Sequence, residues 1–322
     1  MNNILITSGG RRVSLVRAFA KELKAFFPSG KVFVADFNPS LSPASNIVDT
    51  SIKTCKVQDE GYIDDLLKEC IKNDIRLVIP TIDTELLILS QNKQRFLNHN
   101  INIVVSDEDL IKICLDKIST HALFRKLNVG VAKEYAKDDY KLPIFIKPVN
   151  GSGGKNNFVI KKKSQLSKHL LKKKSLRFFE YLDSKLYDEY TCDLYYDKNS
   201  NLKCVIPRKR LEVRAGEVSK GVTKRNALKL FIDKNFSVLD GARGCLTAQF
   251  FLHNQSGEIK GIEINPRFGG GFPLSYLAKG NYPKWIIKEY MLNEAVEYFD
   301  DWEENLLMLR YDDEIIINNY VE

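Results

Sequence analysis

Short β-branched runs alternate with amphipathic helical patterns through the N-terminal third of the chain, and few arrangements satisfy that order. ILIT (Ile4 to Thr7), KVFVAD (Lys31 to Asp36) and RLVIPT (Arg76 to Thr81) read as strands. SLVRAFAKEL, GYIDDLLKECIK and TELLILSQNKQRFL read as the helices between and after them, and INIVVS (Ile101 to Ser106) as a short closing strand. Strand, helix, strand at this spacing predicts a parallel sheet wrapped by helices. Ligands of such sheets sit beyond the carboxyl ends of the strands, here Ser8-Gly9-Gly10-Arg11-Arg12, Asp36-Phe37-Asn38 and Thr81-Ile82-Asp83. Val13 and Ser14 stand where the dinucleotide fingerprint G-x-G-x-x-G needs its third glycine. A nicotinamide site therefore rests on Gly9, Gly10 and Asp36 alone, and a tight strand-to-helix turn explains the glycines equally.

With 322 residues the chain has room for two or three domains with cores of their own, since domains commonly run to about 100–150 residues. A hydrophobic content of 44% and a charged content of 28% are those of a globular protein, and no apolar run approaches the roughly 18 residues of a membrane helix. MNNILITSGG passes straight from an apolar strand into a glycine turn, without the pattern of a secretory signal, so a cytoplasmic protein is expected. Cys55, Cys70, Cys114, Cys192, Cys204 and Cys245 are scattered without a C-x-x-C pair and read as reduced, buried thiols. The net charge of +8 raises the question of nucleic acid. The lysines of KKKSQLSKHLLKKK, from Lys161 to Lys174, lack interleaved aromatics and read as the solvated face of a strand end and short helix, so neither a nucleic-acid nor a membrane partner is expected.

SDEDLIKICLDKISTHALFRKLNVG is a helical connector, with Ser106 as its cap and Gly130 closing it. A small lobe follows from about Val131 to Phe179, in which PIFIKPVNGSGGKNNFVIKK forms two strands joined by a glycine-rich turn. A larger lobe alternates long strands (YDEYTCDLYYD, LKCVIPRKRLEV, GCLTAQFFLHN, GEIKGIEIN) with helices near Asn226 to Val238 and Pro283 to Met291, and ends in an edge strand at Glu314 to Glu322. The expected class is α/β followed by α+β, with boundaries at 1–108, 109–182 and 183–322.

Two segments carry chemistry. In IKPVNGSGGK, Lys147 ends a strand, and the backbone N–H groups from Gly151 through Ser152, Gly153 and Gly154 can wrap a phosphate. The P-loop pattern is absent; a hairpin folding over nucleotide phosphates and a plain β-turn both fit the segment. In GIEINPRFGGG, alternation puts Glu263, Asn265 and Arg267 on one face while Ile262 and Ile264 point to the core. A buried ionised glutamate is costly without a compensating cation, and carboxylate and amide oxygens suit Mg²⁺ or Mn²⁺. An odd-membered turn through NQSGE places Gln249 opposite Glu263 as a third oxygen ligand. Arg267 can hold phosphate oxygens bidentately, and Gly269 to Gly271 let the chain pass close to a ligand. In PRKRLEVRAGEVSKG, alternation sets Arg208, Arg210, Glu212 and Arg214 on one strand face, and Arg210, Arg214 and Lys220 are the candidate anion site, for γ-phosphate, substrate carboxylate or both. Arg11 and Arg12 are further candidates for substrate, with Asp83 and Glu85 available to an amine or to structural bonds. His99, His121, His169 and His253 are not grouped, and no catalytic histidine is assigned.

Taken in order, Asp116-Lys117, Phe145-Ile146-Lys147-Pro148, the Gly151 to Gly154 loop, Phe179-Glu180-Tyr181-Leu182, Asp188-Glu189-Tyr190, Ala248-Gln249-Phe250 and Ile262 to Arg267 resemble the ATP-grasp superfamily. Within it they are more similar to the large subunit of carbamoyl-phosphate synthetase than to D-alanine:D-alanine ligase. The resemblance spans about Asp107 to Gly280, and the N-terminal unit is similar to the Rossmann-like domain that precedes the grasp in this family. It implies a pre-ATP-grasp domain followed by a two-lobed ATP-grasp fold. It also implies that Lys117 and Lys147 contact nucleotide phosphates under the Ser152-Gly153-Gly154 loop, that Glu180, Tyr181 and Leu182 form the adenine hinge, and that Glu189 holds the ribose. Gln249, Glu263 and Asn265 would carry two Mg²⁺, with Glu263 bridging, and Arg267 would steady the transferred phosphoryl group beside the catalytic candidates Lys220 and Arg214.

Enzymes of this superfamily phosphorylate a carboxylate with ATP and let an amine or another nucleophile attack the acyl phosphate. A single grasp unit without a glutaminase region implies a free-standing ligase forming C–N bonds between small molecules, and analogy implies a homodimer. The alternatives are an ATP-binding regulatory module without turnover, which the intact Gln249, Glu263, Asn265 and Arg267 set argues against, and an NAD-dependent oxidoreductase. Amino acids, small peptides, uronic-acid sugars and cofactor precursors all fit as acceptors.

Overall fold

The structure, a computed structural model, describes residues 2–148, 157–214 and 216–320. The glycine-rich loop with Ser152, Gly153 and Gly154 lies outside them. The chain begins with β1 (Asn3–Thr7), α1 (Val13–Phe26), β2 (Val32–Asp36), β3 (Ser51–Lys53), α2 (Tyr62–Lys72), β4 (Ile75–Ile79), α3 (Asp83–Gln91), α4 (Lys93–Leu97) and β5 (Asn102–Ile103). Its strands form the expected parallel sheet in the order β3-β2-β1-β4-β5. Ile4, Leu5 and Ile6 are fully buried in its centre. INIVVS yields only two strand residues, because the Val105 N–H turns back onto the carbonyl of Ile103.

The turn after β1 is built for close packing. Ser8 and Gly10 take left-handed backbone angles, φ 52° and 48°, and a side chain on Gly9 would strike Val34 of β2. Asp36 accepts from the Gly10 and Asn38 N–H groups at 3.3 and 3.0 Å, bonds that belong to the turn itself. Glu85 is likewise occupied: its buried carboxylate accepts from Thr81 N (2.8 Å), Ile82 N (3.2 Å), Ser8 Oγ (3.0 Å) and Tyr62 OH (3.1 Å), which ties the first turn of α3 to the end of β1.

The connector is two helices, α5 (Glu108–Leu115) and α6 (Lys117–Lys126). Ser106 does not cap it: Asp107 stands at the first N-cap, and Ser106 Oγ accepts from the Arg243 N–H at 3.2 Å. Asp116 caps α6, accepting from Ser119 N at 2.7 Å. After β6 (Gly130–Val131) comes a four-stranded antiparallel sheet of β7 (Glu134–Tyr135), β8 (Ile144–Pro148), β9 (Phe158–Ile160) and β10 (Leu176–Glu180), in the order β7-β10-β8-β9, with α7 (Lys168–Lys172) before β10. Ile144, Ile146, Ile160, Leu176 and Phe178 form its core.

The large sheet follows: β11 (Tyr187–Tyr196), β12 (Leu202–Arg214), β13 (Glu217–Thr223), α8 (Ala227–Asn235), β14 (Gly244–His253), β15 (Ile259–Asn265), α9 (Phe272–Leu277), α10 (Tyr282–Met291) and β16 (Leu307–Leu309). Its order is β16-β13-β12-β11-β14-β15-β6. The C-terminal edge strand is β16 and not Glu314 to Glu322; residues 314–320 are irregular. Beyond β16 the Arg310 N–H still donates to the Ser219 carbonyl at 2.9 Å, and ion pairs, Arg310 to Glu217 and Asp312 to Arg214, hold the chain there.

One face of this sheet is polar along its length, and half of it is sealed. Asp193 and Arg208 form a bidentate pair, Nε to Oδ2 at 2.8 Å and Nη2 to Oδ1 at 3.0 Å, with side-chain exposures of 0% and 1%. Ser275 Oγ (2.6 Å) and Thr247 Oγ1 (3.3 Å) also donate to Asp193. Arg208 therefore points under the loop 267–271 and away from any ligand, a correction to its place on the expected anion face. The three glycines pack on the protein's own side chains: a Cβ would meet Thr247 from Gly269, the Glu217 carboxylate from Gly270, and the Arg208 guanidinium from Gly271. Removing one partner of a buried ion pair strands the other, so Arg208→Ala should lose about 3–5 kcal/mol of stability by denaturant titration. Arg95→Ala, which breaks an exposed pair with Asp64, should lose less than about 1 kcal/mol in the same assay.

Candidate active site

The open half of the polar face belongs to β11, β12, β14 and β15, whose register sets its side chains. Gln249 pairs with Glu263 as expected, but by another route. The turn, closed by His253 N to Glu258 O at 2.8 Å, leaves an even loop, and a bulge at Ile262 restores the pairing. Ile264 is buried while the bulged Ile262 is only half-buried, and Glu263 faces the open cleft instead of the interior.

Glu263 gathers the wall. Its Oε1 accepts from Gln249 Nε2 at 2.6 Å and from Asn265 Nδ2 at 2.9 Å. Arg210 donates to Gln249 Oε1 at 3.1 Å and to the Gly216 carbonyl at 3.3 Å, and its Nε lies 3.3 Å from Glu189 without hydrogen-bond geometry. Burial raises the pKa of Glu189, Arg210 opposes that, and Glu263 adds to the rise.

Two lysines from outside this sheet feel the charge of the wall. Lys117, at the start of α6, donates to the Pro148 carbonyl at 3.0 Å, and Lys147 of β8 lies 4.5 Å over the Phe179 ring. Burial lowers the Lys117 ammonium while Glu263 pulls it back up; burial and then Lys117 lower Lys147, again against Glu263. The Glu263 carboxylate of the wall thus acts on both ammonium groups. Glu180 at the end of β10 pairs with Lys260 of β15, a bond between the two sheets at the segment Glu180-Tyr181-Leu182, and accepts from Lys133 N at 2.9 Å.

At the end of the wall Arg267 donates to Asp83 Oδ2 at 2.6 Å and to the Phe268 carbonyl at 3.2 Å, and Arg12 donates to the Thr81 carbonyl at 3.2 Å. Arg11 beside it is exposed. Arg214 and Lys220 sit farther out in exposed ion pairs, with Asp312 at 2.5 Å and Glu212 at 2.7 Å. The structure thus brings Arg210 onto the wall and Arg267 to its end, and gives Arg214 and Lys220 partners on the surface. Sequence reasoning missed Arg310, Glu217 and Lys260, whose neighbours come from strand pairing. It could have found His121, four residues after Lys117 on the same helix face, which packs edge-on against Phe179.

Among the described residues no three His, Cys, Asp or Glu side chains gather as a metal site. The wall holds one carboxylate and two side-chain amides, whose nitrogens here donate to Glu263; with the amides turned to present their oxygens, the set fits Mg²⁺ when nucleotide phosphates supply further oxygens.

Residues 4–104 match the family described as PylC-like, N-terminal domain, and residues 173–312 match the family described as ATP-grasp in the biosynthetic pathway with Ter operon. Among solved structures, a beta-gamma-ATP complex of biotin carboxylase from Campylobacter jejuni matches over 95% of this chain and 74% of its own, with a TM-score of 0.71 at 15% identity. N5-carboxyaminoimidazole synthetase from Staphylococcus aureus, complexed with ADP, matches over 95% and 79%, with a TM-score of 0.67 at 17% identity. An L-amino acid ligase from Bacillus licheniformis matches over 90% and 74%, with a TM-score of 0.64 at 16% identity. At these identities the likeness to solved structures is one of fold. No curated protein matches the chain.

His121 makes the cleft's electrostatics measurable. Burial, then Lys147, Arg125 and Lys117, push its imidazole from 6.5 down to about 4. The unfolded chain takes up this proton near pH 6.5 and the folded chain near pH 4, so the contribution to stability is complete above pH 6.5 and is lost as pH falls toward 4. Denaturation midpoints at pH 5 and pH 7.5 should differ less in His121→Phe than in the wild type; an unchanged difference would contradict the assignment.

Proposed function

We propose, from the premise that this chain belongs to the ATP-grasp superfamily, that it is an ATP- and Mg²⁺-dependent ligase joining a carboxylate to an amine through an acyl phosphate. One observation carries the reading: Glu263, which gathers Gln249 and Asn265 into the wall, acts electrostatically on both Lys117 and Lys147, with Arg267 at the wall's end. Phosphoryl transfer asks a protein for positioning and for neutralised charge more than for covalent help, and this arrangement offers both.

In this reading residues 109–182 supply the connector and the lobe that closes on the nucleotide, and 183–322 the lobe that carries the metal wall. Residues 1–108 supply the platform on which Arg11, Arg12 and Asp83 meet the substrate. Lys117 and Lys147 hold the phosphates, the hinge from Glu180 to Leu182 offers backbone groups to the base, and Glu189 holds the ribose. Gln249, Glu263 and Asn265 are the residues that would hold Mg²⁺, whose part is to neutralise phosphate charge during transfer. Arg210 and Arg267 orient the γ-phosphoryl group and the acid it reaches. The carboxylate oxygen takes the γ-phosphoryl group and ADP leaves; the amine nitrogen then bonds to the carbonyl carbon, phosphate departs with the former carboxylate oxygen, and the amine loses a proton. The solved relatives, which include a beta-gamma-ATP complex, an ADP complex and an amino acid ligase, support the nucleotide and the reaction class.

Incubation with ATP, Mg²⁺ and paired panels of carboxylic acids and amines should release ADP and phosphate only when an acceptor acid is present. Glu263→Gln should reduce that release at least about a hundredfold, by analogy with removal of a preorganised charge from an active site. Release of AMP and pyrophosphate, or full turnover in the variant, would contradict the proposal.

A further inference from the structure

Beyond the nucleotide wall, guanidinium groups collect where three parts of the chain meet. Arg12 and Arg267 are held on one turn, the first by the Thr81 carbonyl at 3.2 Å and the second by the Asp83 carboxylate at 2.6 Å. The far side of the loop that starts at Arg267 is filled by Glu217: a Cβ on Gly270 would lie 2.8 Å from its carboxyl carbon. Arg310, brought there because β16 pairs with β13, donates to Glu217 Oε2 at 3.0 Å and to the Val218 carbonyl at 3.3 Å. Three guanidinium groups are thus set against two carboxylates, Asp83 and Glu217, each already paired, and the Nε of Arg267 is buried without a hydrogen-bond partner.

The ionisation of the cluster reports a surplus of positive field. Burial raises the Glu217 carboxyl, yet Arg310, with Arg12 and Arg11 behind it, overcomes this and holds it below the usual range. Burial lowers the Arg12 guanidinium, and the neighbouring Arg267 lowers it further. The place is also where ligands of parallel sheets belong, beyond the carboxyl ends of β1 and β4. An acid with a single carboxylate, lying at Arg267 next to the metal wall, would leave Arg12 and Arg310 without a ligand.

We propose that Arg12 and Arg310 bind a second anionic group of the acid substrate, so that the acid activated at Arg267 is a dianion, a dicarboxylate or a phosphorylated carboxylic acid. Glu217 and Asp83 keep the guanidinium groups in place, and the surplus of guanidinium charge selects against cationic substrates. The inference rests on the ligase reading for which carboxylate is activated, and on the cluster alone for the binding of dianions.

The test is calorimetric titration of the full chain at constant ionic strength, with and without MgADP, using malonate and succinate as dicarboxylates, phosphoglycolate as the phosphorylated acid, itself run at about pH 5 where its phosphate is singly ionised, and acetate as the monoanion. Each dianionic class should bind at least about tenfold more tightly than acetate, and the tighter of the dicarboxylate and phosphorylated arms identifies the second group. Arg310→Gln and Arg12→Gln should each remove most of that preference while MgADP binds as in the wild type, and Arg310→Lys should restore part of it. Equal binding of acetate and all dianions, or a preference that survives both glutamine variants, would overturn the proposal. Loss of MgADP binding in the wild type would instead sink the nucleotide reading, while the anion preference is still read from the titrations without nucleotide.

Discussion

The pair between Asp193 and Arg208 is the interaction on which the site depends. Two ionised groups with almost no exposure are costly to bury, and the cost is offset by close pairing and further hydrogen bonds. Asp193 receives a bidentate contact and two hydroxyl donors, from Ser275 and Thr247, while Arg208 Nη1 stays buried without a partner. Those donors come from α9 and β14, and Tyr282 of α10 donates to the Asp193 backbone carbonyl at 2.8 Å. Satisfying the pair therefore fixes where the helices after β15 lie. It also demands a backbone without side chains at Gly269, Gly270 and Gly271, which pass directly over Thr247, Glu217 and Arg208. The same loop sets Arg267 at the boundary between the sealed and the open halves of the polar face.

On the open half the charges are set otherwise. Lys117 and Lys147 are partly desolvated near one another, and Glu263 draws the amides of Gln249 and Asn265 onto one of its oxygens. In the proposed reading a phosphate chain with a divalent cation lies between them and brings charge opposite to each. The N-terminal sheet adds the third component. Its strand ends, locked by the buried Glu85, hold Arg12 and Asp83, and Asp83 meets Arg267 at the end of the wall.

Much of this was legible in the sequence where local pattern dictates structure. The parallel sheet followed from alternating strand and helix patterns, and the polar wall from alternation along GIEINPRFGGG. Legibility failed where a contact crosses the chain. Nothing local distinguishes Arg208 from Arg210, yet the first is sealed by Asp193 and the second reaches Gln249. The register of Gln249 and Glu263 came from a bulge at Ile262, which a count of turn residues does not reveal. The glycines suited a ligand in the sequence and pack against side chains in the fold. Arg310 became visible only once β16 was seen to pair with β13, in place of the edge strand expected at Glu314 to Glu322.

The central claim is that the cleft between the lysine pair and the glutamate wall binds a metal-nucleotide complex as one unit. Calorimetric titration with ADP, in the presence and absence of Mg²⁺, tests it most directly. The account predicts one nucleotide per chain, bound at least about tenfold more weakly without Mg²⁺ and in Lys147→Ala, and a Mg²⁺ effect that disappears in Glu263→Gln. Binding that is indifferent to Mg²⁺ and to Lys147, or no binding at all, would contradict it.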